Sequence, residues 1–222
     1  MPDHIHNTLT IEAPKTVLDE LLRLIIVDSK DGPFLVKWFD FNQVFPYPKR
    51  FADLDRKADE WDKMYEKACE DGSCPDLDKK EDANGFRIVG PARKKWFDDH
   101  PRPKDGFNSG GMDWNVVTWG TKWNSYETKV TKPKRKEKGS DTFVVKVNFK
   151  TAWEPPIPII YGIAAIYPEA KLRLSYNMEG HKEFERSIDV QGPSRQEFTG
   201  SKYPQNATFK CSRTECSLRA IR

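Results

Sequence analysis

The fold is decided by the stretch Phe143-Val144-Val145-Lys146-Val147-Asn148-Phe149-Lys150. Phe143, Val145, Val147 and Phe149 alternate with Val144, Lys146, Asn148 and Lys150, a period of two that buries one side of a strand and wets the other. Downstream, Pro155, Pro156 and Pro158 stand where a helix begins. Ile159, Ile160, Ile163, Ala164 and Ile166 give that helix an apolar face, and Pro168 ends it. Leu172, Leu174 and Tyr176 then alternate as a strand, with a weaker one at Phe184, Ile188 and Val190. From Gln191 onward there is little period beyond a strand-like Ala207-Thr208-Phe209.

Upstream, Asn7-Thr8-Leu9-Thr10-Ile11 alternates as a first strand. Pro14 opens a helix carrying Val17, Leu18, Leu21, Leu22 and Ile25 at helical spacing. The aromatic run Trp38 to Phe45, stopped by Pro46 and Pro48, predicts a second strand. Residues 51–69 place Leu54, Ala58, Trp61, Met64, Tyr65 and Ala68 on one side of a charged amphipathic helix. Residues 71–103 predict an irregular segment with a short helix around Ala92 to Phe97. Gly106 to Gly111 predict a flexible approach to a tryptophan-rich stretch at 113–124.

With the charged segment set aside, the order is β-α-β-β-α-β. It predicts an α+β ferredoxin-like antiparallel sheet with helices on one face, and a large charged helical insertion between the second and third core strands. Residues 1–190 would form this single domain, with the insertion at about 51–110. Residues 191–222 would be a C-terminal extension. The second face of the sheet is expected to be covered in part by the insertion and by the tryptophan-rich stretch.

That stretch is Asp113-Trp114-Asn115-Val116-Val117-Thr118-Trp119-Gly120-Thr121-Lys122-Trp123-Asn124, three of the seven tryptophans within twelve residues. As a strand, it puts Trp119 and Trp123 on one side and Trp114 on the other. As a binding site, these indoles with Lys122, Asn124 and Trp153 form a platform for a planar ligand or partner. As architecture, they pack with Trp153 over the sheet, which is the commoner fate of aromatics in a thinly hydrophobic chain.

At 222 residues the chain is long enough for a real core, though only 37% is hydrophobic and 32% is charged. An aromatic content of 12% argues against wholesale disorder. Its 37 basic and 34 acidic residues leave +3, so no global field draws it to nucleic acid or membrane. Charge is local instead: Lys129, Lys132, Lys134, Arg135, Lys136 and Lys138 crowd one loop, a candidate nucleic-acid contact that is more often a solvated hairpin. No apolar run approaches the ~20 residues of a membrane span, and Met1-Pro2-Asp3-His4 does not begin a signal peptide. A cytoplasmic protein with reduced cysteines is the expectation.

Cys69-x4-Cys74 and Cys211-x4-Cys216 are weak zinc candidates, because their spacing is at the edge of the usual range and the pairs are far apart. His4 and His6 would point the same way on a strand, which is metal-compatible, but two flexible ligands do not make a site. No nucleophile-elbow, zinc-helix, phosphate-loop or dinucleotide fingerprint occurs. No cofactor, no metal and no catalytic residue is therefore expected.

Several blocks together resemble the YubB-like ferredoxin-domain family of phage and plasmid proteins. They are Asn7-Thr8-Leu9-Thr10-Ile11, Phe41-Asn42-x-x-x-Pro46-x-Pro48, Asp113-Trp114, Trp119-Gly120-Thr121-Lys122-Trp123-Asn124, Phe149-x-Thr151-Ala152-Trp153-x-Pro155-Pro156 and Tyr176-x-x-Glu179-Gly180. The resemblance departs in the charged insertion and in the tail after Gly180. It implies a ferredoxin-like fold and a mobile-element origin, and no chemistry.

The expected function is a non-catalytic binding protein in the host cytoplasm, a counter-defence factor that binds a host protein or sequesters a small ligand. One alternative is a binder of single-stranded nucleic acid through Trp119, Trp123 and the basic loop. Another is a nuclease or cyclic-nucleotide hydrolase whose site is assembled from distant residues.

Overall fold

The alternating stretch forms strand β6 (Thr142–Ala152), which pairs antiparallel with β1 (His4–Pro14) from His4↔Ala152 to Pro14↔Thr142. The computed structural model describes residues 3–31, 34–75, 90–178, 186–192, 208–210 and 215–217, with the backbone alone for 29–36, 208–210 and 215–217. The chain divides into two compact units, Met1–Pro46 with Asp113–Arg222, and Tyr47–Met112.

In the first unit, β7 (Lys171–Met178) pairs with the other side of β1, and β8 (Arg186–Gln191) with β7. β4 (Tyr126–Val130) and the short β5 (Lys134–Arg135) pair with the outer side of β6. The sheet order is β4-β6-β1-β7-β8, antiparallel throughout. Helix α1 (Lys15–Ile25) follows β1 and helix α5 (Ile157–Ile166) follows β6. Taken as β1-α1-β4-β6-α5-β7, the order is ferredoxin-like, with β8 added at one edge.

The core follows from the period of two. Leu9 stands opposite Val147 on one side and Leu174 on the other, and all three are fully buried. Ile11, Val145, Leu172 and Val190 continue that side, and Leu18, Leu21 and Ile25 of α1 are buried at helical spacing. Pro14, at φ −53° and ψ 148°, turns the chain from β1 straight into α1. Helix α5 is buried on nearly every side, consistent with its run of isoleucine and alanine.

The second core strand lies elsewhere than expected. Trp38 and Phe39 end β3 (Phe34–Phe39), which pairs with β2 (Ile26–Asp31) in a separate two-stranded sheet. Asp40 then stops extension: its Oδ1 accepts from the Asn42 N–H at 3.0 Å and caps a 3-10 turn over Phe41–Gln43. This turn lets Phe39 and Phe41 both enter the core, Phe39 edge-on to Phe149 at 4.9 Å and to Phe41 at 5.1 Å. The place beside β6 belongs to β4. Its alternation is broken by a register shift between Tyr126 and Lys129, with Glu127 at φ +51°.

The tryptophan-rich segment is not a strand either, but helix α4 (Met112–Thr118) followed by a bend. Nor does it cover the second face of the sheet. Trp119 lies edge-on to Phe41 at 5.9 Å, and Phe41 to Phe149 at 6.3 Å, on the helix side of the sheet.

In the second unit, α2 (Lys49–Glu70) and α3 (Pro91–Asp99) stand where helices were expected. Trp61 stacks on Tyr65 at 5.4 Å and meets Phe97 at 6.2 Å, and its Nε1–H donates to the His100 carbonyl at 3.0 Å. Arg102 forms a two-pronged pair with Asp62 at 2.8 and 2.7 Å. Burial pushes the Tyr47 phenol well above its ordinary range, and the neighbouring Asp55 carboxylate adds to the shift. The expected flexible approach is a packed turn, for a Cβ on Gly106 would sit 2.0 Å from the Phe51 carbonyl oxygen. This unit precedes β4, so it enters the chain before the second core strand and not after it.

Two short strands near the end, β9 (Thr208–Lys210) and β10 (Glu215–Ser217), pair antiparallel. Among the described residues no helix is long and apolar enough to cross a membrane.

Phe39→Ala should lower unfolding free energy by about 3–5 kcal/mol, because a fully buried ring touching two others leaves a cavity. Urea titration followed by far-UV circular dichroism measures it.

Candidate functional site

The tryptophan segment is mostly architecture. Trp119 is 3% exposed, its Nε1–H donates to the Phe45 carbonyl at 2.8 Å, and Trp114 packs edge-on against it at 5.5 Å. Gly120 has φ +79°, and a Cβ there would lie 2.7 Å from Pro158 Cδ. Asn124 is committed as well: its Oδ1 accepts from the Phe41 and Ser125 N–H groups and its Nδ2 donates to Asp40 Oδ1 at 2.7 Å. Thr121 Oγ1 and the Lys122 N–H both donate to the Ala152 carbonyl, at 2.7 and 3.3 Å. That contact locks the bend onto the end of β6.

What remains for a partner is a smaller shelf. The Lys122 ammonium lies 5.0 Å from the Trp123 ring and 4.5 Å from the Trp153 ring. Trp153 is 39% exposed and holds φ +75°, a conformation that bulky residues rarely adopt.

A larger feature lies on the sheet side turned away from the core. Strand register puts Thr8, Thr10 and Glu12 of β1 opposite Asn148, Lys146 and Val144 of β6, and opposite Ser175, Arg173 and Lys171 of β7. Lys129 lies opposite Asn148, and Lys134 opposite Val144, on that same side. Lys136 reaches Glu12 at 2.5 Å, Arg173 holds Asp189 through two bonds of 2.6 and 3.0 Å, and Lys150 pairs with Glu127 at 2.9 Å. His6, Lys146, Lys171 and Arg173 are exposed. Thr10, Glu12, Lys171, Arg173, Asp189 and Gln191 line a shallow depression of about 450 Å³ here. The face is largely polar and carries cations along its length.

The basic run is therefore not a separate loop. It starts in β4, continues through β5, and turns back into β6. Lys129, Lys134 and Lys136 extend the cationic face, while Arg135 lies over the Phe143 ring at 4.9 Å and donates to the Ser140 carbonyl. Lys132 and Lys138 are exposed in the connecting turns.

At the other end of β1, a hydrogen-bonded chain fixes an imidazole. The Tyr126 hydroxyl lies 3.2 Å from the Thr151 carbonyl oxygen and 2.5 Å from His4 Nδ1, within hydrogen-bond reach of both. His6 stands on the same side, opposite Lys150 and Asn177. The Lys150 ammonium bonded to Glu127 holds its carboxyl below the usual range. In the sequence, His4 and His6 stand out only as a weak metal pair. Tyr126, Glu127, Lys146 and Lys150 carry no local signal of a site, since only strand pairing gathers them.

Cys69 is exposed and Cys74 buried, and neither is in a disulfide. Cys211 and the side chain of Cys216 lie outside the described residues. Among the described residues no group of three or more histidine, cysteine or acidic side chains is placed to hold a metal ion.

Fold and site together define a ferredoxin-like α+β domain with a polar sheet face. Residues 118–185 match the family model described as "Ferredoxin-like domain in Api92-like protein". The match names an Api92-like domain, and neither the YubB-like family nor a mobile element. The crystal structure of protein api92 from Yersinia pseudotuberculosis matches 86% of this chain and 94% of its own at 9% identity, with a TM-score of 0.35. A likeness that distant carries no argument about function. No curated protein matches the chain.

Trp119→Phe should cost about 1–3 kcal/mol, since a buried indole loses volume and the part-buried Phe45 carbonyl loses that donor. Trp153→Ala, at a half-open position, should cost under about 1 kcal/mol. Thermal unfolding of the two variants separates the structural indole from the available one.

Proposed function

We propose that the chain is a binding protein whose ligand is a single-stranded nucleic acid laid across the open face of the sheet. The observation that carries this reading is the shared side of Lys129, Lys134, Lys146, Lys150, Lys171 and Arg173, set against the three carboxylates Glu12, Glu127 and Asp189. A whole-chain charge of only +3 is thus concentrated where it meets a phosphate backbone. Thr8, Thr10, Asn148, Ser175 and Asn177 supply neutral donors and acceptors between the cations, suited to sugars and base edges.

The narrower expectation is a phage or plasmid factor that binds a host protein or sequesters a small ligand in the host cytoplasm. It is supported by the resemblance and by the half-exposed Trp123–Lys122–Trp153 shelf, whose aromatic and cationic make-up is typical of interface anchors.

The test is fluorescence anisotropy with labelled RNA and DNA oligonucleotides across a salt series. Affinity should fall steeply with salt, and Lys129→Gln combined with Lys146→Gln should weaken it about tenfold. The log–log slope should flatten by about 0.7 for each phosphate that no longer meets a cation. Full affinity in the double variant counts against this face, and unchanged affinity on Trp153→Ala removes the shelf from the ligand's path.

A further inference from the structure

We propose that Cys69 and Cys74 form a redox-active dithiol, which small-molecule disulfides of the glutathione class convert to one intramolecular disulfide. The site belongs to the second unit and does not depend on the nucleic-acid reading.

Backbone geometry brings the two residues together. Helix α2 stops at Glu70, the Asp71 N–H donates to the Lys67 carbonyl at 3.0 Å, and Gly72 turns the chain at φ +76°. The turn carries the Cys74 N–H back to the Ala68 carbonyl, to which it donates at 2.8 Å. That carbonyl belongs to the same peptide group as the Cys69 nitrogen. One hydrogen bond and fixed covalent lengths therefore keep the two Cα atoms within about 7 Å of each other. A disulfide spans Cα separations of about 4.4–6.8 Å, so the backbone needs little adjustment to accept one.

The side chains gather at one phenol. Tyr65 stands one turn before Cys69 on the same side of α2. A hydrogen bond to Cys69 holds the Tyr65 phenol above its ordinary range, and burial adds to the shift. Both sulfurs act on that oxygen, Cys69 through the bond and Cys74 through space. Arg93 of α3 closes the cluster. Its guanidinium donates to the Tyr65 hydroxyl and, at 2.7 Å, to the carbonyl of Pro75, the residue after Cys74.

Exposure divides the roles. Cys69 is exposed and meets a solute directly, whereas Cys74 is only 2% exposed. An accessible first thiol beside a shielded second one favours exchange that ends in an internal disulfide. The Cys74 sulfur contacts the Pro75 carbonyl at 3.9 Å and has other contacts besides. A thiol's hydrogen bonds are weak, so these do not bar the second step.

The chemistry balances. The Cys69 thiolate attacks one sulfur of the small disulfide, whose S–S bond breaks and releases a thiolate that takes up the proton Cys69 lost. Cys74, losing its own proton, attacks the Cys69 sulfur of the mixed disulfide and expels the second small thiol. Two protein thiols are oxidised and one small disulfide is reduced to two thiols. The product closes residues 69–74 into a ring across the end of α2, beside the Arg93 bridge to α3. A reversible covalent clasp there makes this unit responsive to thiol–disulfide poise.

The experiment uses the full chain carrying Cys211→Ser and Cys216→Ser, so that only this pair reports. The folded protein is mixed with glutathione disulfide, quenched with acid, and followed by intact mass and peptide mapping. The expected product is two hydrogens lighter, carries neither glutathione nor an alkylatable thiol, contains a Cys69–Cys74 bond, and reverts with dithiothreitol. In Cys74→Ala the reaction should stop at a glutathione adduct on Cys69, at least about tenfold longer-lived than in the parent chain. Cys69→Ala should gain an adduct about tenfold more slowly, because the sulfur left to it is buried. The parent chain's own product needs neither variant to be read. A glutathione adduct that persists on Cys69 of the natively folded parent overturns the proposal, and so do two thiols that stay reduced.

Discussion

The structure depends on the register in which Leu9 faces Val147 on one side and Leu174 on the other. Because side chains alternate across a strand, a slip of one residue would drive Lys146, Lys150 and Arg173 inward and expose every core position of β1. No pairing of buried cations could repay that desolvation. The same constraint creates both halves of the molecule's character. A side dry enough for Ile11, Val145 and Leu172 leaves the other side to His6, Thr8 and Lys146. The cationic face is the complement of the core, set by one register.

A second constraint closes the end of the sheet. The bend at 119–124 binds the Ala152 carbonyl twice, while Asn7 Nδ2 donates to Thr151 Oγ1 and that hydroxyl donates to the Glu154 carbonyl. Blocks far apart in sequence thus form one interlock: the Asn7 strand, the Trp119–Asn124 bend and the Thr151–Pro156 turn. Their distinctiveness comes from mutual hydrogen bonding, which leaves few residue types free to vary. It also explains why Trp119, the most conspicuous indole in the sequence, is structural while Trp153 remains accessible.

Much of this was legible in the residues. The alternation at 143–150, the helix after Pro14, the helix after Pro156 and the charged helix at 49–70 all follow from local period and capping, which a single chain displays. The second core strand was hidden because a bulge at Glu127 breaks the period that identifies strands. Trp38 to Phe45 imitated it, since Asp40 turns the chain without breaking the aromatic pattern. The open face was half visible. Lys146, Asn148 and Lys150 were legible as the wet side of β6, but which residues lie beside them depends on pairing between strands over a hundred residues apart. Local sequence carries no record of that register.

The His4 end shows what long-range pairing adds to chemistry. On its own strand, His4-x-His6 is two imidazoles on a flexible terminus, and nothing local fixes a tautomer. Pairing with β6 brings Thr151 alongside Ile5, and β4 delivers Tyr126 to the same edge. There the Tyr126 hydroxyl meets both the Thr151 carbonyl and His4 Nδ1, tying the strand end together. The bulge that obscured β4 is also what aims Glu127 at Lys150. The irregularity that defeats periodicity in the sequence is the one that assembles the charged cluster in the fold.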